Sequence, residues 1–218
     1  MADSPKPVFR RSGDGLEFDR VAFFSDAIYA IALTLLAVGI GAPAIRDTTS
    51  SQQLLDGLQD KLPEIVSFFL SFAVLGGFWI AHHRFVAQLA AIDAALRSWN
   101  LLYLAFVAFL PYPTLLLGQH PENSIAVSLY AINVGMISGL ETVMFRHAYR
   151  AGLNRMQLPP AVANYGTIAS GLPVAAFALS VPVAFVNPIA GIATWALSIP
   201  AQMVLGRFEP DGIHDLDP

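Results

Sequence analysis

The chain has 218 residues, 55% of them hydrophobic and only 13% charged, where an ordinary soluble domain carries roughly 25% charged residues. Its formal charge of −4 gives no basic stripe for nucleic acid, and the absence of cysteine excludes a disulfide framework and a thiolate metal site. Lipid is therefore the expected main solvent, and the fold class is an all-α integral membrane protein.

A helix needs about 20 predominantly apolar residues to cross a bilayer. The first such run is free of Asp, Glu, Lys and Arg over 27–45 and reaches back to Val21 if Asp26 is tolerated. No small-residue cleavage pattern follows it, so it is expected to be a retained span over about 21–40. The polar Ser/Thr segment from Asp47 to Asp60 reads as the longest loop, on the outside. A second span is expected over 63–83, with Pro63 in its first turn, where the missing N–H costs nothing. A third is expected over 98–118, with Pro111 and Pro113 inside it, and a fourth over 123–145. Residues 156–206 hold no charge, 51 positions in a row, too many for one helix. Asn187-Pro188 splits them at a turn, giving spans five (163–186, with Pro173 and Pro182 inside) and six (188–206). The count is six, in one domain over 1–218, with residues 207–218 an acidic, disordered cytoplasmic tail.

Lys and Arg near the span ends set the orientation. Lys6, Arg10, Arg11, Arg20, Arg84, Arg97, Arg146, Arg150, Arg155 and Arg207 fall on one side, and only Arg46 and Lys61 on the other. Ten against two places both termini in the cytoplasm, in a multi-pass protein of the plasma membrane.

Span one carries the unusual chemistry. Ile31, Thr34, Leu35 and Val38 follow i, i+3, i+4, i+7 and form one stripe. Asp26 lies five residues before Ile31, about 140° away around the helix. Arg20 and Asp26 are six apart and do not face each other on a regular helix. A carboxylate inside a membrane is costly and normally paired, so Asp26 is a functional or organising residue by default. Span two ends in Phe78-Trp79-Ile80-Ala81-His82-His83-Arg84, which puts Trp79, His82 and His83 on one face at the same depth. An indole N–H or an imidazole there is able to satisfy Asp26.

These strings resemble a known family. Arg20-x-x-x-Phe24-Ser25-Asp26 followed by Ala30-Ile31-x-x-Thr34-Leu35-Leu36 is similar to the signature of the potassium channels related to transmembrane protein 175. Phe78-Trp79-x-x-His82-His83 resembles that family's second motif. The resemblance implies a prokaryotic, single-repeat member that assembles as a homotetramer, with four copies of helix one around a central pore. It implies an apolar constriction in place of a carbonyl filter: Ile31 as the narrowest ring, Leu35 and Val38 as further rings outward, and the Thr34 hydroxyl near the Ile31 level. Arg20, Phe24, Ser25, Asp26, Trp79 and His82 are implied to lock helix one to helix two behind the pore. Two positions depart from the pattern. Ala37-Val38-Gly39-Ile40 lacks the acidic residue expected near the outer end, which weakens cation attraction at that mouth, and Ala27 stands where a glycine is expected.

The residues alone point the same way less sharply. Ile31 lies ten positions past Val21, roughly 15 Å deep at 1.5 Å per residue, near the middle of a core about 30 Å thick. A ring of isoleucines there acts as a dewetting gate. The chain has no Thr-Val-Gly-Tyr-Gly filter loop. Plainer readings stand beside these. An apolar stripe in a membrane helix also faces lipid or neighbours, and the Thr34 hydroxyl can bond back to the Ala30 carbonyl. His82 and His83 read as an interfacial pair, with no third ligand at metal-binding spacing, so no metal or cofactor is expected beyond potassium ions in transit. Glu141 is expected to snorkel or pair near Arg146 and His147, Asn133 to serve helix packing, and Asp93 and Arg97 to form an i, i+4 pair. Trp195 and Gln202 suggest no role.

The leading expectation is a passive cation channel with potassium preference, its partners being the bilayer and copies of itself. The alternative is a proton-coupled secondary transporter using Asp26 and His82 as a relay, although no internal repeat and no broken first helix support it. An enzyme is not expected, because one small polar cluster with short loops offers no converging acid, base and positioning groups.

Overall fold

The computed structural model describes residues 8–11, 15–46, 49–208 and 210. Lys6 and most of the expected acidic tail, Glu209 and residues 211–218, lie outside the described residues. The chain is helical almost throughout: α1 (Gly15–Val38), α2 (Ser51–Asp60), α3 (Leu62–Gln88), α4 (Ala94–Phe109), α5 (Pro111–Gln119), α6 (Ser124–Arg150), α7 (Pro160–Val186), α8 (Pro188–Ala193) and α9 (Ser198–Leu205). Six stretches are long and apolar enough to cross a membrane: Leu16–Val38, Leu62–Gln88, Ala94–Gln119, Ser124–Arg150, Pro160–Val186 and Pro188–Phe208. Several of these helices run past the charge-free windows, because a window stops at its first charge while a helix continues beyond the hydrocarbon edge. Arg20 accordingly sits within α1 rather than ahead of it.

Local chemistry explains the boundaries. Asn123 caps α6 by accepting from the Ile125 and Ala126 N–H groups at 2.9 and 3.3 Å, and Asp93 caps α4 through the Leu96 N–H at 2.7 Å. These are the residue types that best satisfy the orphan donors of a first turn. The third apolar stretch is two helices, broken at Leu110 ahead of Pro111, which has no N–H to donate. The polar segment from Asp47 to Asp60 is not all loop. Ser50 accepts from the Gln53 N–H and starts α2, whose Leu54, Leu55 and Leu58 remain exposed.

α6 is the central element, packed along α7 and α4. Twelve of its residues are buried, Val127, Tyr130, Val134, Ile137 and Met144 among them. Tyr130 stacks on Trp195 at 4.8 Å, and the Trp195 indole N–H donates to the Ser180 hydroxyl at 2.8 Å. That hydroxyl donates to the Gly191 carbonyl at 2.9 Å, closing α7 onto the last span. Glycine is required at 191 because an added Cβ lies 2.9 Å from the Cα of Ala184. Asn133 donates to the Phe106 carbonyl at 3.2 Å, which is helix packing across α6 and α4.

One end of the bundle is knitted by backbone. Strand β1 (Phe9–Arg10) pairs antiparallel with β2 (Ala91–Ile92), Phe9 opposite Ile92. The Ala90 and Ala91 N–H groups both donate to the Leu153 carbonyl, at 2.8 and 3.2 Å. The segment before α1, the α3–α4 connection and the α6–α7 connection are thereby joined.

Candidate functional site

α1 has two distinct faces. Ser25, Tyr29, Ala32 and Leu36, at i, i+4, i+7 and i+11, are each no more than 3% exposed. They pack α1 against α3 and α4. On the other side Ile31 is 55%, Leu35 44% and Val38 74% exposed, so no other span of the same chain covers this stripe. Thr34 lies on it as well; its hydroxyl donates to the Ile31 carbonyl at 2.8 Å rather than to Ala30.

The buried face of α1 meets a polar and aromatic seam. Asn100 of α4 donates to the Ser25 hydroxyl at 3.1 Å, and Ser25 donates to the Val21 carbonyl at 3.0 Å. The Tyr29 and Tyr103 hydroxyls are hydrogen-bonded to each other. His82 of α3, 2% exposed, lies flat on Tyr103 with ring centroids 5.1 Å apart and also approaches Tyr29 at 5.9 Å. Both His82 ring nitrogens are buried without a hydrogen-bond partner among the described residues. A second contact crosses between α3 and α1 nearer the surface. The Trp79 indole N–H donates to an Asp26 carboxylate oxygen at 3.0 Å, while the Trp79 and His83 rings lie tilted to each other with centroids 5.7 Å apart. Of the two candidate partners for Asp26, the indole makes the bond. No hydrogen bond joins Asp26 to His82.

Several expected pairings differ. Arg20 does not reach α3: it pairs with Glu17 one turn back at 2.9 Å, with its side chain 76% exposed. Phe24 is half-exposed. Ser25 binds Asn100 of α4, not a residue of α3. Asp93 does not pair with Arg97 but caps α4 and takes the His147 imidazole at 2.9 Å, while the Arg97 guanidinium lies 4.8 Å from the Phe9 ring centroid. Burial raises the Asp93 carboxyl, yet the Leu96 N–H and His147 outweigh it and hold the group below the ordinary carboxylate value. His147 being so engaged, Glu141 makes no ion pair among the described residues.

Three residues of the seam escaped the sequence reading: Tyr29, Asn100 and Tyr103. The signal for Tyr29 is its place one turn after Ser25; Asn100 is a lone amide entering an apolar run. Gly39 packs against Leu115, and an added Cβ would lie 3.5 Å from the Leu115 Cδ1. Among the described residues no group of three or more His, Asp or Glu is placed to hold a metal ion.

A family model described as endosomal/lysosomal potassium channel TMEM175 matches residues 20–111, the segment that contains this whole seam. A curated potassium channel from Chamaesiphon minutus is 33% identical over 173 residues, covering 75% of this chain and 84% of that one. A curated potassium channel from Streptomyces collinus is 31% identical over 140 residues, covering 62% of this chain and 66% of its own. An endosomal/lysosomal proton channel TMEM175 from Rattus norvegicus is 36% identical over 101 residues, 44% of this chain but 20% of that longer protein. The crystal structure of a lysosomal potassium-selective channel TMEM175 homolog from Chamaesiphon minutus superposes with a TM-score of 0.74 at 25% identity, covering 87% of this chain and 98% of the other. With a relative covered over most of its length and the matched segment spanning the three helices of the seam, this chain belongs to the TMEM175 family of channels.

Proposed function

We propose that the chain is one subunit of a passive cation channel with potassium preference, four copies surrounding a pore lined by α1. The observation that carries this reading is the division of α1: one face is buried by its own chain and the opposite stripe of Ile31, Thr34, Leu35 and Val38 is left uncovered. Family membership, and relatives named as potassium channels, support giving that stripe to a pore rather than to lipid. In this reading Ile31 makes the narrowest ring, Leu35 and Val38 widen outward, and Thr34 offers its hydroxyl oxygen beside Ile31. Selectivity comes from pore diameter, dehydration cost and that oxygen. Asp26 with Trp79, and Ser25, Tyr29, Asn100, Tyr103 and His82 behind them, hold α1 in place. The ten-to-two split of basic residues supports cytoplasmic ends for the whole six-span domain in a plasma membrane.

Reconstitution into liposomes under a potassium gradient tests the reading. Purified tetramers should pass potassium without a coupled gradient; folded tetramers that show no flux overturn it. Ile31→Asn should wet the constriction and raise conductance or relax potassium-over-sodium selectivity, and an unchanged current removes Ile31 from the pore. Flux that saturates and requires a pH gradient instead favours the proton-coupled alternative.

A further inference from the structure

α6 is the most enclosed of the six spans, with 56% of its apolar window buried inside the chain. One lane of it is not. Ile125, Ile132, Met136 and Val143 are 68%, 50%, 39% and 41% exposed. At about 100° per residue they fall, with Arg146 and Arg150, within an arc of about 80° around the helix. The lane therefore ends in two exposed arginines one turn apart.

Among the described residues nothing neutralises that pair. Neither arginine makes an ion pair among the described residues. Glu141, the acid on the same helix, is turned about 140° from Arg146 and about 180° from Arg150. Asp93 is taken by His147. α7, which packs along α6, contains no acidic residue. Arg155, exposed in the following connection, adds a third positive charge. Like charges at i, i+4 destabilise a helix, so an anion at this point relieves their repulsion.

We propose that this lane is a docking site for an anionic phospholipid, with Arg146 and Arg150 on the phosphate and Met136 and Val143 along an acyl chain. The dimensions select lipid over free phosphate. Arg146 to Met136 is ten residues, about 15 Å at 1.5 Å per residue, which is one leaflet of a core about 30 Å thick. A soluble anion has no use for the apolar lane. The site does not depend on which ion the protein passes.

The test uses the purified full-length protein after delipidation, read by native mass spectrometry and by thermal melting. Phosphatidylglycerol should be retained and should raise the melting temperature, while phosphatidylcholine and inorganic phosphate should not. In the R146Q/R150Q double variant, phosphatidylglycerol binding should weaken roughly 30-fold, since each basic side chain at an anionic surface contributes about 0.7 of a decade and the two together about one and a half. R84Q, which removes an exposed arginine from α3, should leave it unchanged. The wild-type comparison stands even if the double variant folds poorly. An equal response to phosphatidylcholine or to inorganic phosphate overturns the proposal. So does an equal loss in R84Q, which would mean diffuse surface charge. Loss of the native oligomer in R146Q/R150Q would assign the lane to a second copy of the chain and overturn it as well. Potassium flux retained in that variant separates this site from the proposed pore.

Discussion

The contact between Trp79 and Asp26 is open to a direct energetic test. The perturbation is a double-mutant cycle of Trp79→Phe and Asp26→Asn. The bond is 3.0 Å long from an indole N–H to a carboxylate oxygen, and hydrogen bonds to charged groups contribute about 1.5–3 kcal/mol. Trp79 is 40% exposed in the single chain, which moves the expected value to the lower end. Trp79→Phe also loses part of the ring contact with His83, 5.7 Å away, so the single variant overstates the bond and only the cycle isolates it. The expected coupling is about 1–2 kcal/mol, measured by chemical or thermal unfolding in one detergent. Each single variant should lose most of the effect that the double variant shows. Strictly additive losses, within about 0.3–0.5 kcal/mol, would refute the claim that this bond holds α1 to α3.

Other expected outcomes follow from particular contacts. Ser180→Ala strands the Trp195 N–H and removes one donor to the Gly191 carbonyl, which keeps the Thr194 hydroxyl; unfolding should show a loss of about 1–3 kcal/mol, against little change for Ser98→Ala, whose exposed hydroxyl bonds only its own helix at Ala94. Gly191→Ala drives a Cβ to within 2.9 Å of the Ala184 Cα and 3.1 Å of its nitrogen, backbone that cannot yield, whereas Gly166→Ala meets the Phe145 ring, which can turn. The first should therefore cost about 1–3 kcal/mol and the second less, in the same melting assay. The Asp93 carboxyl is held low in the folded chain. Its stabilising effect is thus present above the ordinary carboxylate value and is lost as pH falls through the lower folded value. Asp93→Asn should flatten that acid limb of the stability profile while leaving the Leu96 cap largely in place; an unchanged limb would show that another group sets it.

The sequence made legible what composition and spacing encode: the apolar count of six, and the convergence of Asp26 with Trp79, since a buried charge demands a partner and i, i+3 spacing places donors on one face. It did not disclose contacts between helices distant in the chain. Tyr29 and Tyr103 meet across 74 positions, and no local period marks either as one half of a pair. Arg20 and Asp93 differ from their expectations in opposite senses: Arg20 pairs with Glu17 a turn away within its own helix, whereas Asp93 takes His147 from another helix instead of pairing locally. α2 escaped because a short helix capped by Ser50 carries too few apolar residues to stand out within a polar stretch.

The arrangement of α1 has a consequence for how such a pore would discriminate. The polar groups nearest the uncovered stripe, Ser25, Asp26 and Tyr29, all precede Ile31 and bond to the chain's own α3 and α4. The uncovered stripe then has Thr34 as its one hydroxyl, and that hydroxyl spends its proton on the Ile31 carbonyl. What Thr34 presents outward is therefore an oxygen lone pair, an acceptor suited to a cation and not to an anion. Thr34→Val keeps the shape and removes that oxygen. In the proposed tetramer it should lower potassium selectivity over sodium while sparing assembly, read by ion substitution in bilayer recordings. A selectivity ratio unmoved by Thr34→Val would leave the apolar ring of Ile31 as the sole discriminator, and preference would then have to follow dehydration cost alone.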